Sequence, residues 1–248
     1  MSCFMLLNSS VPLEKYMSLI DENRLKKLYE SDPPLYSEAA AIQKELKDKV
    51  VSKNGFNQIK TIAGADIAIL KNEKKLICGI IVFSYPELSE IERVWEVVDE
   101  EFPYIPGLLA FREGPAIIKT YKKLKVRPDV LILDGQGTAH PRGFGIACYV
   151  GVLLNIPTMG IAKKKLYGDY QDPQDIPGSY ESLLSKNGEQ IGVVLKTKAK
   201  TKPVFVSIGH KIDLSTSREI ALTCVRGYRI PEPTRLADKY VGELKRGL

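Results

Sequence analysis

TIAGADIAILKNEKKLICGIIVFSYPELSEIERVWEVVD, from Thr61 to Asp99, contains three apolar or alternating runs separated by turn-forming residues. The runs fall at about 61–70, 76–85 and 91–99. Each has the length and β-branched content of a strand. Lys71-Asn72-Glu73 is a short link between the first two, so the order reads as an antiparallel meander. Side chains alternate along a strand with period two, so Ile62, Gly64, Asp66 and Ala68 share one face. Aspartate is depleted in strands, and burying it unpaired is costly. Asp66 is therefore either salt-bridged or at a sheet edge, or it is a metal ligand beside small residues that let another group approach.

Further along, DVLILDGQGTAHPR runs from Asp129 to Arg142. Val130 to Leu133 reads as a buried strand bounded by turn signals. Asp134 stands where that strand opens onto Gly135-Gln136-Gly137, and a carboxylate there is free to coordinate a metal or a substrate. His140, one of only 2 histidines, follows. It can assist proton transfer, bind a phosphate, or hold the loop. A glycine-rich helix is expected from about Gly143 to Leu154, then a short strand near Thr158 to Ala162, then Lys163. The remaining alternation of strand and helix suggests parallel pairing. His210, in FVSIGHK, sits at a strand end. It is a weaker candidate for substrate contact.

Between the meander and Asp134 lies FPYIPGLLAFREGPAIIKTYKKL. Gly114-Pro115 predicts a helix start, with proline in the first helical position. Ile117, Tyr121 and Leu124 then recur at helical spacing. Glu113 is placed just before that N-terminus, where the helix dipole favours a carboxylate; it can equally join a carboxylate cluster. Pro103 and Pro106 fix their φ angles and stiffen Tyr104-Ile105 between them. That segment is either a rigid projecting wedge or an aromatic packed on the core. Upstream, Ser37 to Val51 predicts a helix. Residues 1–34 carry mixed charge, end in Asp-Pro-Pro, and read as an appendage to a single domain over 35–248.

The chain has 248 residues, 44% of them hydrophobic, enough for one sizeable core. Its formal charge of +6 suits a polyanionic partner. Lysines cluster at Lys122-Lys123, Lys163 to Lys165 and Lys196 to Lys202, either as solvated faces or as phosphate contacts. The four cysteines are far apart and form no CxxC pair, which suits reduced thiols and a cytoplasmic setting. No stretch approaches the roughly 20 apolar residues of a membrane span. No obligate protein partner is evident. The histidine and cysteine spacing offers no zinc site, which leaves oxygen ligands and a hard divalent cation.

Taken together, PYIPGLLAFREGP, DGQGTAHPRGFGIA, GIAKK and RIPEPTRLAD resemble the signature stretches of the endonuclease V family. The resemblance covers most of Asn57 to Tyr240, in the family's order. It implies an α/β ribonuclease H-like mixed sheet flanked by helices, in which the first and fourth strands are neighbours. Asp66 and Asp134 would then meet. It implies cleavage of DNA or RNA at the second phosphodiester bond 3′ to a deaminated adenine, with Mg²⁺ as cofactor and Mn²⁺ substituting.

The same resemblance makes Asp66 and Asp134 the main metal ligands, with Glu113 as a third carboxylate that binds metal or orients water. Asp238, expected in the first turn of a C-terminal helix after a Pro231-Glu232-Pro233 breaker, is the fourth; a plain surface aspartate is the alternative. Lys163 would sit against the scissile phosphate, or be a plain exposed lysine. Tyr104, Ile105 and Pro106 would contact the strand near the lesion, with Gly135 giving backbone room for a flipped base. A related structure-specific nuclease, or a non-catalytic nucleic-acid-binding module on the same fold, remains the alternative reading.

Overall fold

The computed structural model describes residues 36–70 and 73–248. The appendage expected over 1–34 lies outside the described residues, as does Cys3. Helix α1 (Tyr36–Lys47) precedes the meander β1 (Thr61–Leu70), β2 (Lys75–Ser84) and β3 (Glu90–Asp99). Helix α2 (Leu109–Lys122), β4 (Val130–Leu133), α3 (Ile146–Leu154) and β5 (Thr158–Ala162) follow. The chain then forms β6 (Tyr180–Leu184), β7 (Gln190–Leu195), β8 (Val204–His210), α4 (Leu214–Thr223) and α5 (Glu232–Gly247). One mixed sheet takes the order β3-β2-β1-β4-β5-β8-β7-β6.

The meander is antiparallel as expected, and β1 lies beside β4 in parallel. Its register is set at the start of the pair. The Asp129 carboxylate accepts from the Lys60 amide at 2.8 Å, the Thr61 amide at 2.9 Å and the Thr61 hydroxyl at 3.1 Å. That fastening aligns Ile62 with Val130 and so Ala65 with Leu133. Asp66 and Asp134 are each the next residue along, at one level of the sheet.

One expectation fails after β5. Only β4 and β5 continue the parallel pairing; β5 pairs with β8, β8 with β7 and β7 with β6, each antiparallel. The reason is local. Between β5 and β8 the chain forms a hairpin closed through Ser185 to Glu189, with no helix to carry a crossover. Parallel neighbours need such a crossover.

Two apolar layers sandwich the sheet. Residues of α1, α2 and α3 pack with Ala63, Ala65, Cys78 and Ile80 on one face. Ile62, Ile81, Ile132 and Met159 pack with α4 and α5 residues on the other. Glycines set how closely α5 approaches. A Cβ on Gly64 would lie 2.0 Å from the Pro233 carbonyl oxygen, and one on Gly79 would lie 2.8 Å from Val241. Gly79 is the partner of Asp66 across the β1–β2 ladder. The small face foreseen around Asp66 is therefore the seat of α5. The three described cysteines, Cys78, Cys148 and Cys224, are free and buried. Among the described residues no helix is long and apolar enough to cross a membrane.

Candidate active site

Four carboxylates and one ammonium gather where β1, β4 and β5 present their ends beside α5 and α2. The β1–β4 register supplies Asp66 and Asp134. The β5 strand ends at Ala162 and delivers Lys163 next door. Lys163 Nζ lies 2.6 Å from Asp134 Oδ2 and 3.2 Å from Asp238 Oδ2. It thus ties the end of β4 to α5.

Two elements are placed differently from the expectation. Helix α2 begins at Leu109, so Glu113 stands inside it and Pro115 is an interior residue. The sequence signal at Gly114-Pro115 marks something else. The turn ahead of it, with Gly107 at φ +79° and buried Leu108, Ala110 and Phe111, already starts the helix. Gly114 is small because the Tyr149 ring lies 2.5 Å from where its Cβ would be. Asp238, likewise, is beyond the first turn of α5. Pro231 is the N-cap and Pro233 falls in the first turn. A proline there loses no helical hydrogen bond, so Pro-Glu-Pro starts the helix instead of preceding it.

The electrostatics are those of carboxylates short of positive charge. Burial pushes Asp66 up to about 8, with Asp134 and Asp238 adding to it and Lys163 opposing. Burial also lifts Glu113 to about 7; Arg112 works against this, while Asp134 and Glu100 add to it. For Lys163, burial disfavours the ammonium, yet Asp134 and then Asp238 outweigh it, and the net shift is upward. Among the described residues no three His, Cys, Asp or Glu side chains stand close enough together to chelate one ion as placed. Still, the donor set is all oxygen and three of its members, Asp66, Glu113 and Asp134, are half-buried. That chemistry suits a hard cation such as Mg²⁺.

The structure separates both histidines from this cluster of carboxylates. His140 is buried, and both its ring nitrogens are engaged. Nδ1 accepts from the Arg142 amide at 3.2 Å, so Nε2 carries the proton and donates to the Gly107 carbonyl at 3.1 Å. Burial, then Arg142, lowers its pKa to about 4. Among the roles open to it, holding the loop is the one these contacts describe. His210 pairs with Thr158 at the start of β5, whereas Lys163 follows its end. Because β8 runs antiparallel to β5, His210 stands at the opposite edge of the sheet. Five residues at about 3.3 Å each separate the two edges. Its Nδ1 accepts from the Val51 amide at 3.2 Å. The strand reversal thus places His210, the weaker candidate for substrate contact, away from the carboxylates.

The Pro-Tyr-Ile-Pro segment does project. Tyr104 is 62% exposed, and among its contacts is the Arg112 guanidinium 5.7 Å from the ring centre. Ile105 is half-buried and Pro106 exposed. Gly135 follows Asp134 directly, and a Cβ there would come 2.6 Å from Ile146.

Sequence reasoning overlooked two residues. Arg229 Nη2 donates to the Lys163 carbonyl at 2.6 Å and the Pro203 carbonyl at 2.8 Å, and its Nε to the Lys202 carbonyl at 2.7 Å. Gln136 Nε2 donates to the Lys164 carbonyl at 3.1 Å. The backbone that carries Lys163 is thus fastened from two sides. Arg229 opens the RIPEPTRLAD block, which was the available signal; Gln136 gave none beyond its place after Asp134.

The family model for Endonuclease V matches residues 44–239. The chain belongs to the endonuclease V family. It is 46% identical to the endonuclease V of Dictyoglomus thermophilum over 205 residues, covering 83% of this chain and 89% of the relative. The crystal structure of Streptomyces avermitilis endonuclease V superposes with a TM-score of 0.81 at 35% identity, covering 86% of this chain and 94% of the other. Ciona intestinalis endonuclease V is known in complex with a 24mer DNA containing an inosine followed by a ribo-adenosine. It superposes at 0.74 and 31% identity, covering 86% of this chain and 98% of that one. The chain therefore has its family's fold and is an endonuclease.

Proposed function

We propose that this enzyme cuts DNA or RNA at the second phosphodiester bond 3′ to a deaminated adenine, using Mg²⁺ or Mn²⁺ held by Asp66 and Asp134, with Glu113 and Asp238 beside them. The supporting observation is the convergence of these carboxylates with Lys163 at the level fixed by the β1–β4 register. A divalent cation bound there would neutralise phosphate charge and acidify a water.

The side chains do the rest. Lys163, charged and held by Asp134 and Asp238, meets the phosphate charge that builds up on the way to the transition state. Glu113, lifted to about 7, is poised to hold or take a proton near neutral pH. Asp134 orients Lys163 through the 2.6 Å contact. Tyr104 projects from the stiffened segment and stacks beside the extruded base. Buried free thiols suit work in the reducing cytoplasm.

The test is cleavage of an end-labelled strand carrying one inosine, in DNA and RNA versions, with Mg²⁺ and with EDTA. One cut in Mg²⁺, displaced by one nucleotide to the 3′ side and leaving a 5′-phosphate, supports the reading. Retardation in both conditions without a cut would leave only a binding module.

A further inference from the structure

Three side chains converge on one backbone oxygen. The Gly107 carbonyl accepts from Arg142 Nη2 at 2.5 Å, His140 Nε2 at 3.1 Å and Gln43 Nε2 at 3.2 Å. A carbonyl oxygen has two lone pairs, so this acceptor is saturated. Gly107 is the residue directly after Pro103-Tyr104-Ile105-Pro106, and its φ of +79° makes it the pivot between that segment and α2.

The donors also bind one another. Arg142 Nε donates to Gln43 Oε1 at 2.5 Å, and the Arg142 amide donates to His140 Nδ1. Gln43 Nε2 donates further to the Phe144 carbonyl at 2.9 Å. Gln43 and His140 are buried, so these contacts are partly shielded from water. Gln43 comes from α1, and the other two from the loop that begins at Asp134. The ring of contacts thus fixes the Tyr104 segment to the loop carrying a reaction-centre carboxylate.

We infer that Gln43 and Arg142, with His140, form a clamp on Gly107 that fixes the reach and angle of Tyr104 and so governs discrimination of an inosine strand from an undamaged one. The inference rests on reading Tyr104 as a wedge. A wedge that extrudes a base is pushed back by the stack it opens. An unclamped glycine would yield to that force, because its φ and ψ are otherwise free. The three are positioning residues: they act through Tyr104.

The experiment measures affinity in EDTA for matched strands with and without inosine, together with melting temperature. The variants are Gln43→Ala, Arg142→Lys, Tyr104→Ala and each clamp change combined with Tyr104→Ala. Arg142→Lys keeps the charge and loses the forked donors. Each clamp change is expected to lower the inosine preference by about tenfold, the scale of one base–aromatic contact. In the Tyr104→Ala background neither should lower it further. Loss of affinity for both strands alike, additive with Tyr104→Ala, would make the residues purely structural and overturn the inference. So would full preference in Arg142→Lys, which would make Arg142 a simple charge against phosphate. Should Tyr104→Ala itself leave the preference unchanged, the wedge reading fails and the clamp with it. A loss in Tyr104→Ala alone sinks only the clamp.

Discussion

Lys163 and Asp134 are joined at 2.6 Å across the ends of two parallel strands, and that contact places Lys163 beside a proposed metal ligand. Its backbone is held by Arg229 and its neighbour's by Gln136, so the ammonium is placed before any substrate arrives. Preorganised charge acts most strongly on charge that develops in the transition state. Lys163→Ala should therefore lower the single-turnover rate by about 10²–10³-fold with little change in strand affinity. A wild-type rate with only weakened binding would reduce Lys163 to an electrostatic contact.

Asp66 links the site to stability. Its carboxyl rises from 3.8 in the unfolded chain to about 8 in the fold, first through burial and then through Asp134 and Asp238. The folded state therefore binds more protons than the unfolded state between those values. The stability that Asp66 contributes must then fall as pH rises through that window when no cation is bound. In EDTA the Asp66 contribution should lower the melting temperature from about pH 4 to about pH 8, against the buried His140 and His210, which act the opposite way below about pH 6.5. Asp66→Asn should remove that contribution and abolish cleavage, since it removes the half-buried charge and the proposed ligand together. An unchanged pH profile in Asp66→Asn would show that the strain lies elsewhere.

Much of this was legible before any coordinates. The meander, the β4 strand and β5 follow from apolar runs bounded by turns, because a strand's burial pattern is written in its own residues. Asp66 and Asp134 were legible as oddities, carboxylates where apolar residues belong. What stayed hidden depends on residues far apart in sequence. The antiparallel return of β8 moved His210 to the far edge, and no local pattern encodes that reversal. Pro115 and Pro-Glu-Pro misled about helix starts because a proline marks either a first turn or a tolerated interior position, and only packing decides. Gln43 and Arg142 are ordinary polar residues until the Gly107 carbonyl is placed between them.

Gly64 offers a test of how α5 is seated. A Cβ there would lie 2.0 Å from the Pro233 oxygen, and a backbone atom cannot swing aside. Gly64→Ala should cost about 1–3 kcal/mol as overpacking. It should also slow cleavage, because lifting the start of α5 moves Asp238 away from Lys163. Gly79→Ala meets side-chain atoms of Val241 and Tyr240 instead, at 2.8 and 2.9 Å, and should be milder on both counts. Equal effects would mean that α5 shifts as a rigid rod whichever glycine is filled.

The final prediction separates lysines by what they already hold. Lys196 belongs to the KTKAKTK run, yet it is buried, with Nζ 2.6 Å from Asp175 Oδ1 and donating at 2.6 Å to the Thr201 carbonyl. Lys164 is exposed directly beside Lys163, and Lys198 is exposed while donating to the Gly227 carbonyl at 2.8 Å. A phosphate contact releases condensed counterions, so each lysine that makes one steepens the fall of affinity with salt by about one unit of slope. Lys164→Ala should make that slope shallower by about one unit, with the melting temperature unchanged. Lys198→Ala should do so by less, since its ammonium must first leave Gly227. Lys196→Ala should instead lower the melting temperature and leave the slope as it is. Strand-binding titrations over a range of salt, with melts of the same variants, read both quantities. A slope change in Lys196→Ala alone would place the phosphate path along the other end of the sheet.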